Sequence, residues 1–501
     1  MGVHGLWETL KPACEPMEPL LEYALKEGFQ RKYHHGRKLN LGVDASLYLA
    51  SIKAAQLWRT NIHLSSDPLQ TLFHQLCRYI RTPINLIYVF DGANRPALKQ
   101  NTRVINRQVL FHEKAKTLIR AFGFHVYDTT YADAEAELVN LAHNGTVDGI
   151  ITEDGDAVVF GAPQIFRINR NSTGTRVFLD VYSAEKIEKD LGLSHAGLIL
   201  FALLVGGDYH DGVEGCGPAT AHAMARCGFG ESLIRALDDF LGLPEQHLAD
   251  FLISWKDALA DEMTHNHQGH LERKNPKAAT SIREDASFPS LDIVHAYRRP
   301  QTNRSTGSPL PDTSLWIPSE PNLAVITDIC ISTLEWTNEY LLKQFQETLW
   351  HGIALQMLYS TYLVYDLRAR KLATPYVNAV ICRPTDAHIH KTDKSEIRVT
   401  LSIPSFFSHF KSDVLEKHGI RDKKIIVTVP QPVLSVAVAK SEKEFNGIIS
   451  MFNMIPRSQA HAIPQEDMDV ENTPDSTSDM DIEFGELTVR NNFIDLTGDC
   501  D

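Results

Sequence analysis

Three apolar runs in this 501-residue chain each deliver acids at their ends. Leu39-Asn40-Leu41-Gly42-Val43 ends in Asp44, Ile87-Tyr88-Val89-Phe90 ends in Asp91, and Ile150-Ile151-Thr152 runs into Glu153-Asp154-Gly155-Asp156. Asp133 and Glu135 fall at an expected loop-to-helix start, and Asp208 follows Leu203-Leu204-Val205-Gly206-Gly207. A single Asp after a strand is often just a helix N-cap. Several at strand ends, together with the D-x-E and D-x-D pairs, point instead to a shared cleft. Carboxylates in one cleft repel, so each either holds its proton or takes a cation partner. Hard divalent ions such as Mg2+ meet that demand through a few carboxylates, water and substrate phosphate. Two such ions roughly 4 Å apart activate a water and stabilise the leaving oxygen of an in-line phosphoryl displacement. No Cys/His ligand set accompanies these acids, which argues against zinc in this cleft. The residues alone predict a Mg2+-dependent phosphodiesterase or phosphatase, with Glu137 and Glu153 as solvated neighbours rather than ligands.

The elements that must carry these acids are legible as alternation. β-branched runs at Leu39–Val43, Ile84–Phe90, Gly123–Tyr127, Gly149–Thr152 and Gln164–Ile168 read as strands, with helix-length segments such as Asp67–Arg81 and Val109–Phe122 between them. Such alternation predicts an α/β fold, a mostly parallel twisted sheet flanked by helices. In an open sheet of this kind the ligand crevice lies outside the carboxyl ends of the strands. Residues 212–243 read as two short helices around the Gly-rich turn Gly212–Pro218. Asp261–Ala286 reads as a polar loop holding His265, His267 and His270 as solvated side chains, and Gln301–Thr313 as a second loop. Helical pattern resumes at Leu291–Tyr297 and Asn338–Tyr359. Glu396–Ile403, Lys424–Val429 and Val433–Ala439 then read as antiparallel strands of a small β-rich module at 374–450.

Composition narrows the class. Hydrophobic residues make up 43% and charged residues 22% of the chain, as in soluble globular proteins, and the length suggests two to four domains. No apolar stretch reaches the ~18 residues of a membrane helix, so no membrane partner is expected. The opening Met1–Leu6 lacks the basic head and apolar core of a secretory leader, and Leu6 stands where a myristoylation signal has Ser or Thr. Seven scattered cysteines without a CxxC pair argue for a reducing compartment. The net charge of −14 is uneven: residues 465–501 carry −11, with 12 Asp/Glu and one Arg, which leaves −3 for the rest. From about Arg457 the chain is too acidic and too poor in apolar residues to fold alone, so 457–501 is expected to be a disordered acidic tail. A near-neutral body remains compatible with a nucleic-acid partner through local basic patches.

In order along residues 1–230, the motifs resemble those of the FEN/XPG structure-specific nucleases. Met1-Gly2-Val3-His4-Gly5-Leu6-Trp7 resembles their amino-terminal MGVxGLW. Val43-Asp44-Ala45-Ser46, Val89-Phe90-Asp91-Gly92 and Arg95-Pro96-Ala97-Leu98-Lys99 resemble the rest of the N-region. Asp133-Ala134-Glu135-Ala136 is similar to EAEA, and Thr152-Glu153-Asp154-Gly155-Asp156 with Phe160-Gly161 to TEDxDxxxFG. Gly206-Gly207-Asp208-Tyr209 followed by Gly212–Pro218 is similar to the family's helix–two-turn–helix. The resemblance implies a PIN-like nuclease core in which Asp44, Asp91, Asp133, Glu135, Asp154, Asp156 and Asp208 hold two Mg2+ ions, with Mn2+ able to substitute. Asp133 stands where the family usually has Glu and is one methylene shorter, so a water-mediated contact is expected there. The resemblance also places Gly2 near the active site after removal of Met1, and Lys99 with Arg103 (or Arg107) on the scissile phosphate, where cations offset developing charge. Gly215 and Gly217 would let a duplex phosphate approach the backbone, and carbonyls of that turn would hold a monovalent cation.

It further implies an N-type region at 1–105, an I-type region at 120–210, a helix–two-turn–helix at 205–245 and a helical end with a polar loop at 246–372. Only 41 residues separate Asp91 from Asp133, short for the helical arch of flap endonucleases. The segments Arg273–Lys277, Phe288-Pro289, Ile293 and Tyr297–Pro300 resemble the GEN/Yen-type junction-resolving subgroup, whose chromodomain-like module would correspond to 374–450. In that module no aromatic cage is visible, and Lys391, Lys394 and Arg398 are the candidate phosphate contacts. The implied function is incision of branched DNA such as Holliday junctions, 5′ flaps and forks. The expected partners are branched duplex DNA, a second copy on four-way junctions though monomeric in solution, and SUMO through Phe493–Thr497. Thr473-Pro474 is a candidate phosphorylation site. The expected location is the nucleus, with shuttling to the cytoplasm. Flap endonuclease or 5′ exonuclease activity, or junction binding without catalysis, are the alternatives.

Overall fold

The computed structural model describes residues 2–30, 36–57, 67–92, 110–360 apart from 170 and 173, 364–366, 371–374, 379–382, and 396–440 apart from 409. Strands β1 (Glu18–Pro19), β2 (Leu39–Asp44), β3 (Ile84–Phe90), β4 (His125–Asp128), β5 (Gly149–Ile151), β6 (Gln164–Ile168) and β7 (Phe178–Ser183) form one sheet, ordered β1-β7-β6-β5-β2-β3-β4. The β6-β5-β2-β3-β4 stretch is parallel throughout, whereas β7 pairs antiparallel with both β6 and β1. Every residue of β3 is buried, as a strand covered on both faces requires. Its alternate residues divide between two apolar cores: Leu86, Tyr88 and Phe90 face one, Ile87 and Val89 the other. Asn40 and Asn85 sit opposite each other in register, and Asn85 donates to the Asn40 side chain at 3.1 Å, which satisfies two polar groups inside the sheet.

The order β5-β2-β3 determines the site. β2 is central, so Asp44 at its carboxyl end lies between the ends of β3, which leads to Asp91, and β5, which leads to Asp154.

A second sheet is antiparallel, ordered β12-β11-β10-β9-β8, from β8 (Val364–Asp366), β9 (Lys371–Thr374), β10 (Ala379–Cys382), β11 (Glu396–Ser402) and β12 (Lys424–Pro430). It belongs to the same apolar core as one face of the main sheet. Phe345 stacks on Phe406 with centroids 5.6 Å apart, and fully buried Trp350 meets both Phe406 and Phe407 edge-on or tilted. The helical run 338–357 that carries Phe345 and Trp350 includes a π-helical turn at Phe345–Leu349.

Two sequence expectations are corrected. Asp261–Ala286 is not one loop, because the helix Glu245–His265 reaches through its first part and Pro276–Glu284 forms another. Buried Trp255, Leu259, Ala260 and Met263 drive the first; the second starts from an Asn275 cap and buries Ala278, Ala279 and Ile282. Val433–Ala439 is helical, within a helix spanning 431–440: its buried residues Val433, Leu434, Ala437 and Val438 follow a helical rather than a two-residue period. Phe178–Ser183 adds an antiparallel strand for which the sequence analysis names no element.

Lys99, Arg103, Arg107, Lys391, Lys394, Thr473-Pro474, Phe493–Thr497 and the whole 457–501 tail lie outside the described residues. Arg398 is exposed on β11.

Candidate metal centre

Asp44 is the hub. It is only 3% exposed, and one of its carboxylate oxygens accepts the Leu47 N–H at 3.0 Å, capping the helix Ala45–Leu57. Burial, then the neighbouring charges of Glu135, Asp91 and Asp154, raise its pKa well above the usual carboxylate range. A buried carboxyl pressed by three others is what a multivalent cation would relieve.

Two acid groups flank it. The carboxylate oxygens of Asp91, Asp133 and Glu135 lie within 4.8 Å of one another, as do those of Asp154, Asp156 and Asp208. The Ser46 hydroxyl accepts the Asp91 N–H (3.2 Å), while the Asp91 carboxylate accepts the N–H of Ala134 (3.0 Å) at the start of the helix Ala134–His143. Asp133 precedes that helix, yet its side chain makes no capping bond. On the other side, Asp154 Oδ1 accepts the Asp156 N–H at 3.0 Å, which folds the Asp154-Gly155-Asp156 turn so that both acids share one face. Donors made only of carboxylate oxygen fit hard ions of the Mg2+ and Mn2+ class and disfavour zinc. All seven acids named from the sequence are brought to this edge of the sheet.

Residues to which the sequence analysis gives no part in the site hold it in place. Glu137 is not a solvated neighbour: it is fully buried. Its carboxylate accepts the Asn303 N–H at 2.8 Å and the Tyr127 hydroxyl at 3.4 Å. Asn303 in turn donates to the Tyr127 oxygen (2.6 Å) and accepts the Thr130 N–H (3.1 Å). This network clamps the loop 129–133 that ends in Asp133. Glu153, by contrast, is half exposed and paired with Arg167. Tyr297, named only in the distal resemblance, packs its ring against Tyr209 (5.0 Å) and Phe160 (5.8 Å). Burial, then Asp156, Tyr209, Asp208 and Asp154, raise the pKa of its hydroxyl well above that of ordinary tyrosine. It walls the second acid group and keeps its proton.

The amino-terminal segment closes the site from below. Gly2 has φ +79°, and a Cβ placed there would fall 2.2 Å from Asp154 Oδ1. The His4 N–H donates to the Gly206 carbonyl (3.0 Å), and the Trp7 indole to the Glu153 carbonyl (3.0 Å). The Gly-rich turn 212–217 follows the helix His195–Val205 and leads into the helix Pro218–Arg226. Gly215 has φ +79°, a conformation that favours glycine, and its carbonyl accepts the Asn275 amide at 2.9 Å. Gly217 is extended, so its backbone needs no glycine, but nothing lies within 4 Å of where its Cβ would be.

A parallel sheet that gathers carboxylates at one edge is the frame of a metal-dependent hydrolase of phosphate esters. Family profiles narrow this: residues 1–109 match the XPG N-terminal domain and residues 126–208 the XPG I-region. These two segments of the chain are similar to the two conserved regions of XPG-type nucleases. It is similar to Single-strand DNA endonuclease 1 of Oryza sativa subsp. japonica, 27% identical over 334 residues covering 60% of this chain and 47% of that protein. It is also similar to Flap endonuclease GEN homolog 1 of Mus musculus, 25% identical over 264 residues covering 49% and 27% of the two chains. The chain spans less than two thirds of the length of the first curated relatives it matches. Among solved structures it resembles the Holliday junction-resolving enzyme GEN1 in complex with product DNA and Mg2+, with TM-score 0.62 and 23% identity over 90% of this chain and all of that one. At that identity the likeness establishes a shared fold.

Proposed function

We propose that this protein is a Mg2+-dependent, structure-specific DNA endonuclease that incises branched DNA, of the junction-resolving GEN/Yen type. The observation that carries the reading is Asp44 between two acid triads, an arrangement suited to two ions. Bound there, the ions would activate a water and stabilise the leaving oxygen of the phosphodiester, as Mn2+ would also do. Asp91, Asp133 and Glu135 would hold one, Asp154, Asp156 and Asp208 the other, with Asp44 shared. Products with 5′-phosphate and 3′-hydroxyl ends follow from the family. Lys99 and Arg103 are proposed to steady the scissile phosphate. Gly2 would keep the pocket floor open beside Asp154. Gly215 and Gly217 would present the turn 212–217 to a duplex phosphate, reading shape rather than sequence, and carbonyls of the turn would take a monovalent cation.

The junction-resolving subgroup is favoured over a flap endonuclease because the structural likeness to GEN1 runs through 90% of this chain, past the nuclease core. Symmetric incision of a four-way junction needs two active sites, so the protein is proposed to be a monomer in solution that pairs on the junction. Because its proposed substrates are chromosomal junctions, it is proposed to act in the nucleus. No helix among the described residues is long and apolar enough to cross a membrane. The test is a parallel cleavage assay on 5′-flap, fork and four-way substrates, with the Asp154→Ala variant as control. Efficient paired incision of the four-way substrate is expected. Flap cutting alone would reassign the subgroup, and undiminished cutting by Asp154→Ala would remove the metal mechanism.

A further inference from the structure

We propose a second metal site, of imidazole type and suited to Zn2+, at the carboxyl end of the helix Glu245–His265. None of its residues belongs to the carboxylate centre. Asp261 and His265 lie one helical turn apart, on the same face. Asn266 then takes φ +58°, ends the helix, and swings His267 back toward the same carboxylate. His265 Nδ1 lies 2.8 Å from one Asp261 oxygen and His267 Nε2 lies 2.9 Å from the other. The three ligand atoms lie within 4.8 Å of one another, and the imidazole centroids are 5.3 Å apart.

The turn is built to hold His267 there. Buried Glu262 accepts the N–H groups of His267 (3.2 Å) and Gln268 (2.9 Å). The Asn266 side chain bonds both the N–H and the carbonyl of Leu271, at 3.0 and 2.9 Å. Two imidazoles and a carboxylate on such a frame match the protein ligands of a four-coordinate zinc site whose last position is water. Magnesium prefers all-oxygen donors, so the two kinds of site select different ions.

The placement gives the ion a task. Gln268 donates to the Cys227 carbonyl (3.4 Å), and the Asn275 N–H donates to the Met263 carbonyl (2.7 Å). The Asn275 amide reaches both the Gly215 carbonyl and the Thr220 hydroxyl, at 2.9 and 3.1 Å. Zinc at His265 and His267 braces the segment that props the turn 212–217.

The test is calorimetric titration of the full chain with Zn2+ in saturating Mg2+, comparing wild type with the double variant His265→Ala/His267→Ala. Both rings are exposed, so the variant is expected to keep its circular dichroism spectrum. Wild type should take up one more equivalent of Zn2+ than the variant, and Co2+ should give a visible absorption band only in wild type. Equal uptake by the two proteins, or no uptake by wild type, overturns the site.

Discussion

The Cα of Gly2 sits so close to Asp154 that a methyl group in place of its hydrogen would meet the carboxylate at 2.2 Å. One end of the chain therefore forms part of the wall around an acid from the middle of the sequence. Gly2→Ala adds that methyl at a position whose positive φ already disfavours side chains. Cleavage by Gly2→Ala is expected to fall about 100-fold, the scale of a 1 Å misplacement at a reacting centre, with the far-ultraviolet spectrum unchanged. Wild-type turnover would refute the placement.

Asp44 links stability to pH in the metal-free protein. Its folded pKa is raised above the unfolded value, so the folded state binds the extra proton. Stability is greatest below the unfolded value near 4 and declines as pH rises toward the raised folded value. Asp44→Asn removes that charge. The variant should show a higher thermal midpoint than wild type at pH 7 in a chelator, and no cleavage in Mg2+. A lower midpoint would mean that Asp44 is not under charge stress.

Glu137 and Asn303 should act as one unit. Glu137→Ala leaves the Asn303 N–H unpaired in the interior, a loss of about 1–3 kcal/mol, and loosens the loop that carries Asp133. Each of Glu137→Ala and Asn303→Ala should raise the Mg2+ concentration needed for half-maximal cleavage. The double variant should be little worse than either, as coupled residues behave. Additive effects on the Mg2+ requirement would separate them.

Trp350→Ala tests the join between the sheets. Removing a buried Trp costs about 3–5 kcal/mol. A matching drop in urea-unfolding free energy is expected, together with faster proteolysis around β11 and β12. Protection equal to wild type would show that the aromatic cluster does not hold the second sheet.

The acids were legible because each stands at a boundary that apolar periodicity marks sharply, and the runs forming β3 and β6 match the observed strands end to end. Strand β7 was not, since Asp180 interrupts its apolar run. Glu137 looked like any helix-surface acid; its partner Asn303 lies 166 residues away, and no local pattern announces that bond. The Asp261–His265–His267 group was hidden for a related reason. Its geometry depends on one left-handed residue, Asn266, after a helix whose last turn, from Asp261, reads from sequence polarity as loop.

The shared apolar core has a consequence for synthesis. Leu41, Val43, Leu86 and Tyr88 of the main sheet belong to the same core as Trp350, Phe406 and Val427. At ~5–20 residues per second, the second group leaves the ribosome on the order of 15–60 seconds after the first. For that interval an oily sheet surface waits uncovered on a nascent chain, a natural client for chaperones and a reason for truncated versions ending before the second sheet to aggregate.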